Sequence, residues 1–362
     1  TVSAQVKPDN KASLLEIRGL TKEFRQGKDR VMAVHKIDLD IQKGEVFGLV
    51  GESGCGKSMT LKCIAGIVTP DRGRIVLGDR VLFDSEKKIN LPPQQRKVGY
   101  LFQQYALFPN MSVEQNILCG IRSGDKAEKR RVLAEKIRMF RLEGLEKKHP
   151  AQLSSGQQQR VALARILCSE PEAILLDEPF SALDSYLKWN LEIELADLLA
   201  TFNGPILWVS HDRDECYRNC RIVCVMEDGR TGEVTPMDEM IRHPGSVSAA
   251  RLAGCKNFFA AEAKDGKVYL PEWNVSLPLA VTEKAFTTLG IPDNAVTMSE
   301  NGAMSCTVCR MILGVEENIL LLRPEGSAEG APMLRITVGH ESDLQAGAAV
   351  RVALDQEKLL LL

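Results

Sequence analysis

The sequence indicates an α/β domain followed by a small all-β domain. Residues 13–235 alternate between strand-like and helical runs, a pattern typical of an α/β layered fold. From residue 257 onward, short β-type runs are interrupted by Gly, Pro, Asn and Asp, as in small barrels and sandwiches. The length of 362 residues agrees with two domains, at about 100–200 residues per domain.

The strands and helices of the first domain follow from hydrophobic periodicity. Residues 46–50 and 174–176 are almost entirely apolar, which is expected of strands buried on both faces of a parallel sheet. The predicted strands cover residues 13–17, 45–50, 174–176, 206–209 and 222–226, and the predicted helices cover residues 57–66, 127–140, 157–168 and 186–200.

The second domain begins after a change of sequence character near residue 232. A helical pattern over residues 237–252 precedes β-type runs at 267–270, 304–313, 319–322, 333–338 and 349–354. We therefore predict a first domain over residues 13–237, a helical linker over 238–256 and a β-rich domain over 257–362.

Composition and charge argue against several classes of protein. The 46 Lys and Arg against 48 Asp and Glu give a net charge of −2, which argues against a nucleic-acid binder. With 44% hydrophobic and 26% charged residues, the composition is that of an ordinary globular protein. The sequence has no apolar run near the roughly 18–20 residues that span a bilayer, and residues 1–11 lack the apolar core of a signal peptide. We expect a soluble intracellular protein, unless a partner brings it to a membrane.

The ten cysteines indicate neither a disulfide framework nor a metal site. They are scattered through apolar stretches instead of being regularly spaced. Cys306 and Cys309 form a lone C-x-x-C, and the five histidines of the chain do not complete a metal site at ligand spacing. We expect reduced, buried thiols.

The first chemical motif is a phosphate-binding loop. Residues 51–58 match G-x-x-x-x-G-K-[ST] directly after an apolar strand and before a helix, which is the context that the motif requires. Backbone N–H groups of such a loop surround a phosphate, and the helix N-terminus adds partial positive charge. Lys57 supplies a charge for the β- and γ-phosphates, and the Ser58 hydroxyl can bind Mg²⁺. The residues expected to contact the nucleotide here are Gly51, Ser53, Gly54, Cys55, Gly56, Lys57, Ser58 and Met59.

The second motif is an apolar strand that ends in two carboxylates, at residues 174–178. Asp177 would hold Mg²⁺ and its water shell, and Glu178 would polarise the attacking water. Asp-Glu at a strand end is also common in surface turns. Together with residues 51–58, however, it indicates an NTP hydrolase of the P-loop class.

Between these two motifs, residues 153–160 are LSSGQQQR. This run resembles the LSGGQ signature of ABC-type ATPases, with Ser155 where the family has Gly. At the start of a helical pattern it offers free N–H groups to an anion, although such residues are an ordinary helix cap in many proteins. The place of the run ahead of residues 174–178 matches the family, so the first domain resembles an ABC ATPase cassette with a helical subdomain. The resemblance implies that four residues of this run bind the nucleotide: Ser154, Ser155, Gly156 and Gln157.

The resemblance implies roles for further residues. Gln103 matches the Q-loop glutamine, which in the family contacts Mg²⁺ and water, so the implied metal ligands are Ser58, Gln103 and Asp177. His211 matches the switch histidine that contacts the γ-phosphate, and the implied catalytic residues are Glu178, His211 and Gln103. Asp184 matches the D-loop. Phe24 lies where the family has an aromatic residue stacked on adenine, and the alternative is a core Phe at a strand edge.

The resemblance also implies an assembly. In ABC ATPases the signature of one copy completes the ATP site of another, so we expect a head-to-tail homodimer that binds ATP and Mg²⁺. We expect the chain to bind separate transmembrane permease subunits, peripherally on the cytoplasmic face of the membrane, and to act indirectly with an extracytoplasmic solute-binding protein. Residues 105–113 are similar to the segment next to the permease in importers, although Leu107 and Phe108 could equally be core residues. No nucleic-acid partner is expected.

The expected substrate rests on finer resemblances. Residues 74–84 and 252–257 look like the corresponding segments of molybdate/sulfate import subunits, so we expect an oxyanion importer, with ferric iron, polyamine and sugar importers as alternatives. A soluble, non-transport ABC ATPase and a small-molecule kinase fit fewer features. The β-rich domain resembles the OB-like regulatory domain of these importers, but residues 290–294 lack the arginine of a G-I-R-P-E run. It is therefore either an oxyanion sensor or a dimerisation platform without a ligand.

Overall fold

The computed structural model describes residues 13–26, 29–181, 185–277, 279, 286–342 and 344–362. The chain divides into two compact units, and the boundary lies between Met237 and Asp238. Among the described helices, none combines the length and the hydrophobicity required to cross a lipid bilayer.

The first unit contains eleven strands and seven helices in its described part. The strands are β1 Ser13–Gln26, β2 Asp29–Gln42, β3 Val46–Val50, β4 Arg72–Leu77, β5 Arg80–Asp84, β6 Ile89–Asn90, β7 Val98–Leu101, β8 Ala173–Asp177, β9 Ile206–Ser210, β10 Ile222–Glu227 and β11 Arg230–Pro236. The helices are α1 Lys57–Ala65, α2 Pro93–Arg96, α3 Val113–Leu118, α4 Lys126–Met139, α5 Ser155–Cys168, α6 Ser185–Leu199 and α7 Arg213–Asn219.

A six-stranded sheet positions the predicted motifs. Its order is β11-β10-β3-β9-β8-β7, and all neighbours are parallel except the β10–β11 pair. Every residue of β8 and β9 is buried, as expected for strands covered on both faces. Because parallel strands end at the same edge of a sheet, the segments that follow β3, β8 and β9 lie together. The phosphate-binding loop, Glu178 and His211 are in these three segments.

A second, antiparallel sheet has the order β2-β1-β4-β5-β6 and shares one hydrophobic core with the parallel sheet. The prediction of a strand at residues 13–17 was too short, since β1 and β2 form a hairpin of two 14-residue strands. Charged residues along the hairpin and several register shifts hid its periodicity. Between β7 and β8, helices α3, α4 and α5 pack together as a helical layer.

The second unit is mainly β-structure. Its elements are α8 Met237–Arg242, which begins at the boundary, α9 Val247–Leu252, β12 Asn257–Ala260, β13 Glu262–Lys264, β14 Lys267–Leu270, β15 Val275–Leu277, β16 Thr288–Ile291, β17 Val296–Met298, β18 Met304–Ile312, β19 Asn318–Pro324, β20 Leu334–Val338, β21 Ala349–Leu354 and β22 Leu360–Leu361. In the described part of this unit, three small sheets surround a hydrophobic core that contains Trp273. The buried Asn257 amide donates hydrogen bonds to the carbonyls of Ile291 and Arg335 at 3.1 and 2.9 Å.

The single helix predicted over residues 237–252 is wrong, because the chain forms two short helices there. Pro244 and Gly245 lie between α8 and α9, and a proline disfavours helical backbone at the residue before it. The Ser246 side chain then caps α9 by accepting a hydrogen bond from the Ala249 N–H.

All ten cysteines are free thiols. Seven of them are buried, Cys55 and Cys309 are half-buried, and Cys119 is exposed, so burial was predicted correctly for most of them. Across the described ranges, no group of three or more His, Cys, Asp or Glu side chains is arranged to hold a metal ion.

A fully buried arginine closes the C-terminal end of α1, the helix that follows the phosphate-binding loop. Arg96 donates to the carbonyls of Cys63 and Ile64 at 2.9 and 2.8 Å, and to the Leu91 carbonyl at 2.8 Å. Cys63 and Ile64 belong to the last turn of α1, where the negative end of the helix dipole favours a cation. Burial lowers the pKa of Arg96 to about 10.

We expect Arg96→Met to destabilise the first unit by about 3 kcal/mol, because the Ile64 and Leu91 carbonyls lose the donor that Arg96 supplies. Urea denaturation of the full chain measures the effect. The control is Arg131→Met, whose side chain is 78% exposed and whose loss should cost less than about 0.5 kcal/mol. Equal midpoints for both variants would show that the cap is not needed.

Candidate active site

The loop between β3 and α1 is folded tightly on itself. Lys57 is 4% exposed, and its Nζ donates to the carbonyls of Gly51 and Glu52 at 2.7 and 2.8 Å. At Gly56 the backbone has φ of 108°, and a Cβ would lie 2.2 Å from the Ala33 carbonyl oxygen, so only glycine fits. Because Gly56 is the N-cap of α1 and has no side chain, the first N–H groups of the helix have no side-chain cap and can serve an anion.

The carboxylate of Asp177, at the end of β8, joins this loop to the sheet. Its Oδ1 accepts a 2.7 Å hydrogen bond from the Ser58 hydroxyl, and its Oδ2 accepts one of 2.7 Å from the Tyr100 hydroxyl. Burial and the neighbouring Asp177 carboxylate raise the pKa of Tyr100, so its hydroxyl remains a donor. Sequence reasoning missed Tyr100, although its place in the strand just before Gln103 was a usable signal.

Glu178 follows Asp177 and is linked to two further predicted site residues, to His211 directly and to Gln103 through Ser181. Its Oε1 lies 3.3 Å from His211 Nδ1, and its carbonyl accepts a 3.0 Å hydrogen bond from the Ser181 hydroxyl. Gln103 donates from Nε2 to the same hydroxyl at 3.0 Å. Glu178 has φ of 47°, a left-handed conformation that costs a non-glycine residue about 1–3 kcal/mol and often marks functional sites. Asp184 lies outside the described residues.

The signature residues begin helix α5, which starts at Ser155, two residues earlier than predicted. Ser154 is the N-cap: its hydroxyl accepts from the Gln157 N–H at 3.3 Å, and its own N–H donates to Gln157 Oε1 at 3.0 Å. Ser155 is in the first helical turn and is not among the residues with positive φ, so serine is tolerated there. A Cβ on Gly156 would lie 2.9 Å from Leu191, which explains glycine at this close contact with α6.

Ser154 is therefore a helix cap, and its role in anion binding stays a prediction. In the described part of the chain, the hydrogen bonds of Ser154 stay within α5, whereas Ser58 is bonded to Asp177 at the sheet edge. The predicted site residues thus form two groups, one at the edge of the parallel sheet and one at the start of α5.

Phe24 and Phe108, for which the sequence left a core position open, are both exposed. Phe24 on β1 is 40% exposed, with Lys22 Nζ 5.2 Å from its ring centre, so the alternative of a core Phe is wrong. Phe108 is 46% exposed and stacks with the Arg165 guanidinium at 5.2 Å, whereas Leu107 is half-buried. Of these last two, only Phe108 is well placed for a partner.

The fold and this edge of the sheet define a P-loop ATPase, and comparisons identify its family. Residues 34–181 match the ABC transporter family. The sulfate/thiosulfate import ATP-binding protein CysA 2 of Agrobacterium fabrum is 33% identical over 336 residues, which cover 91% of this chain and 95% of that protein. The spermidine/putrescine import ATP-binding protein PotA of Oleidesulfovibrio alaskensis is 39% identical over 243 residues, which are 67% of this chain but only 62% of that protein.

A solved dimeric ATP-binding cassette in a post-hydrolysis state, bound to ADP and Pi, is 27% identical with a TM-score of 0.54. The match covers 62% of this chain and 98% of that one. The chain belongs to the ABC transporter family and is an importer-type ABC ATPase.

We expect Tyr100→Phe to lower the ATP hydrolysis rate about 10-fold, because the Asp177 carboxylate loses one of the two donors that orient it. Steady-state phosphate release measures this. Tyr105→Phe is a matched control, since the buried Tyr105 hydroxyl has no hydrogen-bond partner among the described residues. Similar rates in the two variants would contradict an orienting role for Tyr100.

Proposed function

We propose that this protein is the ATP-hydrolysing motor subunit of an oxyanion importer, which works with Mg²⁺ as a head-to-tail homodimer on a separate permease. The observation that carries the proposal is the 2.7 Å hydrogen bond between Ser58 and Asp177. It brings a hydroxyl from the phosphate-binding loop and a carboxylate from β8 to one point, which suits a cation held beside nucleotide phosphates.

The donor set fits Mg²⁺. Hydroxyl and carboxylate oxygens are the ligands that this ion prefers, and it usually takes only one or two protein ligands beside phosphates and water. The absence of a denser ligand cluster in the described ranges agrees with such a site. Ser58 and Asp177 would hold the ion, with Gln103 nearby, and bound Mg²⁺ would neutralise charge on the β- and γ-phosphates.

Lys57 and the start of α1 would bind the phosphates. The Lys57 ammonium is held by two carbonyls of its own loop, and a phosphate oxygen is a stronger acceptor for it than a neutral carbonyl. The exposed Phe24 ring would stack on adenine, as the family resemblance implies.

Glu178 would act as the general base. A carboxylate accepts a proton well when its position is fixed, and His211 is within 3.3 Å of one carboxylate oxygen. The Glu178 side chain is 17% exposed, so water can reach it. Gln103 and Ser181 would hold the backbone of Glu178 through their chain of hydrogen bonds.

A second copy would complete each site. The Ser154 end of α5 carries the positive end of a helix dipole, but in the described structure its hydrogen bonds stay within α5. A twofold dimer lets this end meet the phosphates that the partner holds. The dimeric state of the similar solved cassette supports this arrangement.

The permease would be contacted near Phe108, which follows Gln103 and is exposed. We propose a peripheral position on the cytoplasmic face of the membrane, with a solute-binding protein on the other side. Binding at Phe108 would then connect the permease to Gln103 and, through Ser181, to Glu178.

The Glu178→Gln variant tests the ATPase and the dimer together. We expect a hydrolysis rate at least about 100-fold lower, because the amide cannot accept the proton, and an ATP-bound dimer of twice the 40.0 kDa chain mass in light scattering. Glu143→Gln, at an exposed site, is the control. Wild-type turnover would contradict the role of Glu178 as general base. Low turnover without dimers would contradict ATP-dependent dimer formation.

An oxyanion substrate is supported by how far the similarity to relatives extends. The match to the sulfate/thiosulfate protein CysA 2 covers 91% of this chain, whereas the match to the polyamine protein PotA covers 67%. The higher identity of PotA over its shorter match, 39% against 33%, keeps a polyamine importer as the second candidate.

The two candidates differ in the charge of the solute. A membrane complex isolated with a tagged copy of this chain, reconstituted in vesicles, should take up radiolabelled sulfate or molybdate in an ATP-dependent way and should not take up putrescine. Putrescine uptake without oxyanion uptake would overturn the oxyanion proposal and favour the polyamine importer. The Glu178→Gln complex, in which uptake should stop, is the control.

A further inference from the structure

Two buried carboxylates have no role in the site described above. Glu215 on α7 is 2% exposed and Glu192 on α6 is 3% exposed. Acidic side chains are almost never this buried unless they are paired, and both are paired across the contact between α6 and α7. Helix α7 begins next to His211, which directly precedes the N-cap residue Asp212.

Lys188 of α6 binds two acidic side chains of the α7 segment. Its Nζ lies 2.5 Å from Asp212 Oδ2 and 3.1 Å from Glu215 Oε2. Burial opposes its charge, but these carboxylates outweigh burial and raise the pKa of Lys188. Trp208 of β9 donates from Nε1 to the other Glu215 oxygen at 2.7 Å. The cluster therefore connects α6, α7 and β9.

The cluster holds the chain on both sides of His211. On one side is the buried Trp208 of β9, and on the other is Asp212, whose Oδ1 accepts from the Glu215 N–H at 3.0 Å. The Asp212 N–H donates to the Ser210 hydroxyl at 3.0 Å. His211 itself is 51% exposed, so packing alone does not fix its ring beside Glu178.

We infer that Lys188 is a positioning residue, which fixes His211 relative to Glu178 through Asp212 and Glu215. The inference rests on the proposed function of His211 and Glu178, and it adds to that function a residue on α6 that touches neither. Loss of the ammonium would remove the cation that holds the Asp212 and Glu215 carboxyl groups to α6, so the loop between β9 and α7 would shift.

A second set of contacts keeps α6 and α7 together when Lys188 is changed. Glu192 accepts from Arg218 Nε and Nη2 at 2.7 and 2.8 Å and from Asn219 at 2.7 Å. The Arg218 guanidinium also lies 5.2 Å from the centre of the Trp189 ring. Lys188 substitution should therefore move the loop without releasing the helices.

The kinetic test uses the full chain with Lys188→Met and Asp212→Asn. Asparagine preserves the helix cap but removes the ion pair, so this second variant covers the case in which Lys188→Met folds poorly. In both variants we expect kcat to fall about 10- to 100-fold, the cost of a misplaced catalytic group, while the KM for ATP stays within about 3-fold. Lys188→Arg should restore kcat. Lys147→Met, which removes the exposed pair with Glu114 at 2.6 Å, should have no effect.

A spectroscopic test separates positioning from general destabilisation. The chain has five histidines, so the side-chain NMR signal of His211 can be assigned with His211→Ala. We expect that signal to shift in Lys188→Met and Asp212→Asn, and to return in Lys188→Arg. An unchanged kcat, or a lower kcat with an unmoved His211 signal, would overturn the inference. Wild-type kcat in His211→Ala would instead overturn the proposed function of His211.

Discussion

The hydrogen bonds at the Asp177 carboxylate are the interaction on which the rest of the site depends. One oxygen accepts from Ser58 at the start of α1, and the other accepts from Tyr100 near the end of β7. Both distances are 2.7 Å, and the carboxylate is 6% exposed, so solvent competes little for these donors. The phosphate-binding loop is thereby held at the edge where β8 ends, and Glu178, the next residue, is directed toward His211.

Backbone constraints and charged clusters hold the remaining parts. The contact of Gly56 with the Ala33 carbonyl fixes the loop, and Arg96 closes the other end of α1. On the opposite side of the site, Lys188 and its carboxylates connect α6 to the segment that carries His211. Rigid support of this kind matters because a small displacement of a catalytic group lowers the reaction rate steeply.

Local motifs made the parallel sheet and the phosphate site predictable. Residues 51–58 and 174–178 are specific motifs that lie at the ends of buried strands. Because parallel strands end at the same edge of a sheet, the two motifs are expected to lie together. Lys188 was not predicted, because its partners are distant in sequence and no local pattern encodes such a pairing, whereas Tyr100 was missed although it lies just before Gln103. The β1–β2 hairpin was underestimated because its polar face interrupts the apolar pattern, and the break between α8 and α9 depends on two residues, Pro244 and Gly245.

In the proposed dimer, each ATP site combines Lys57 of one copy with the Ser154 end of α5 from the other. Mixing two inactive full-length variants, Lys57→Ala and Ser154→Asp, tests it, since aspartate preserves the helix cap but repels phosphate. In an equimolar mixture, half of the dimers would contain one copy of each variant. Each of these dimers would have one intact site and one doubly mutated site, so the mixture should regain about one quarter of wild-type ATP hydrolysis. A rate no higher than the sum of the separate variants would contradict a site shared between two chains.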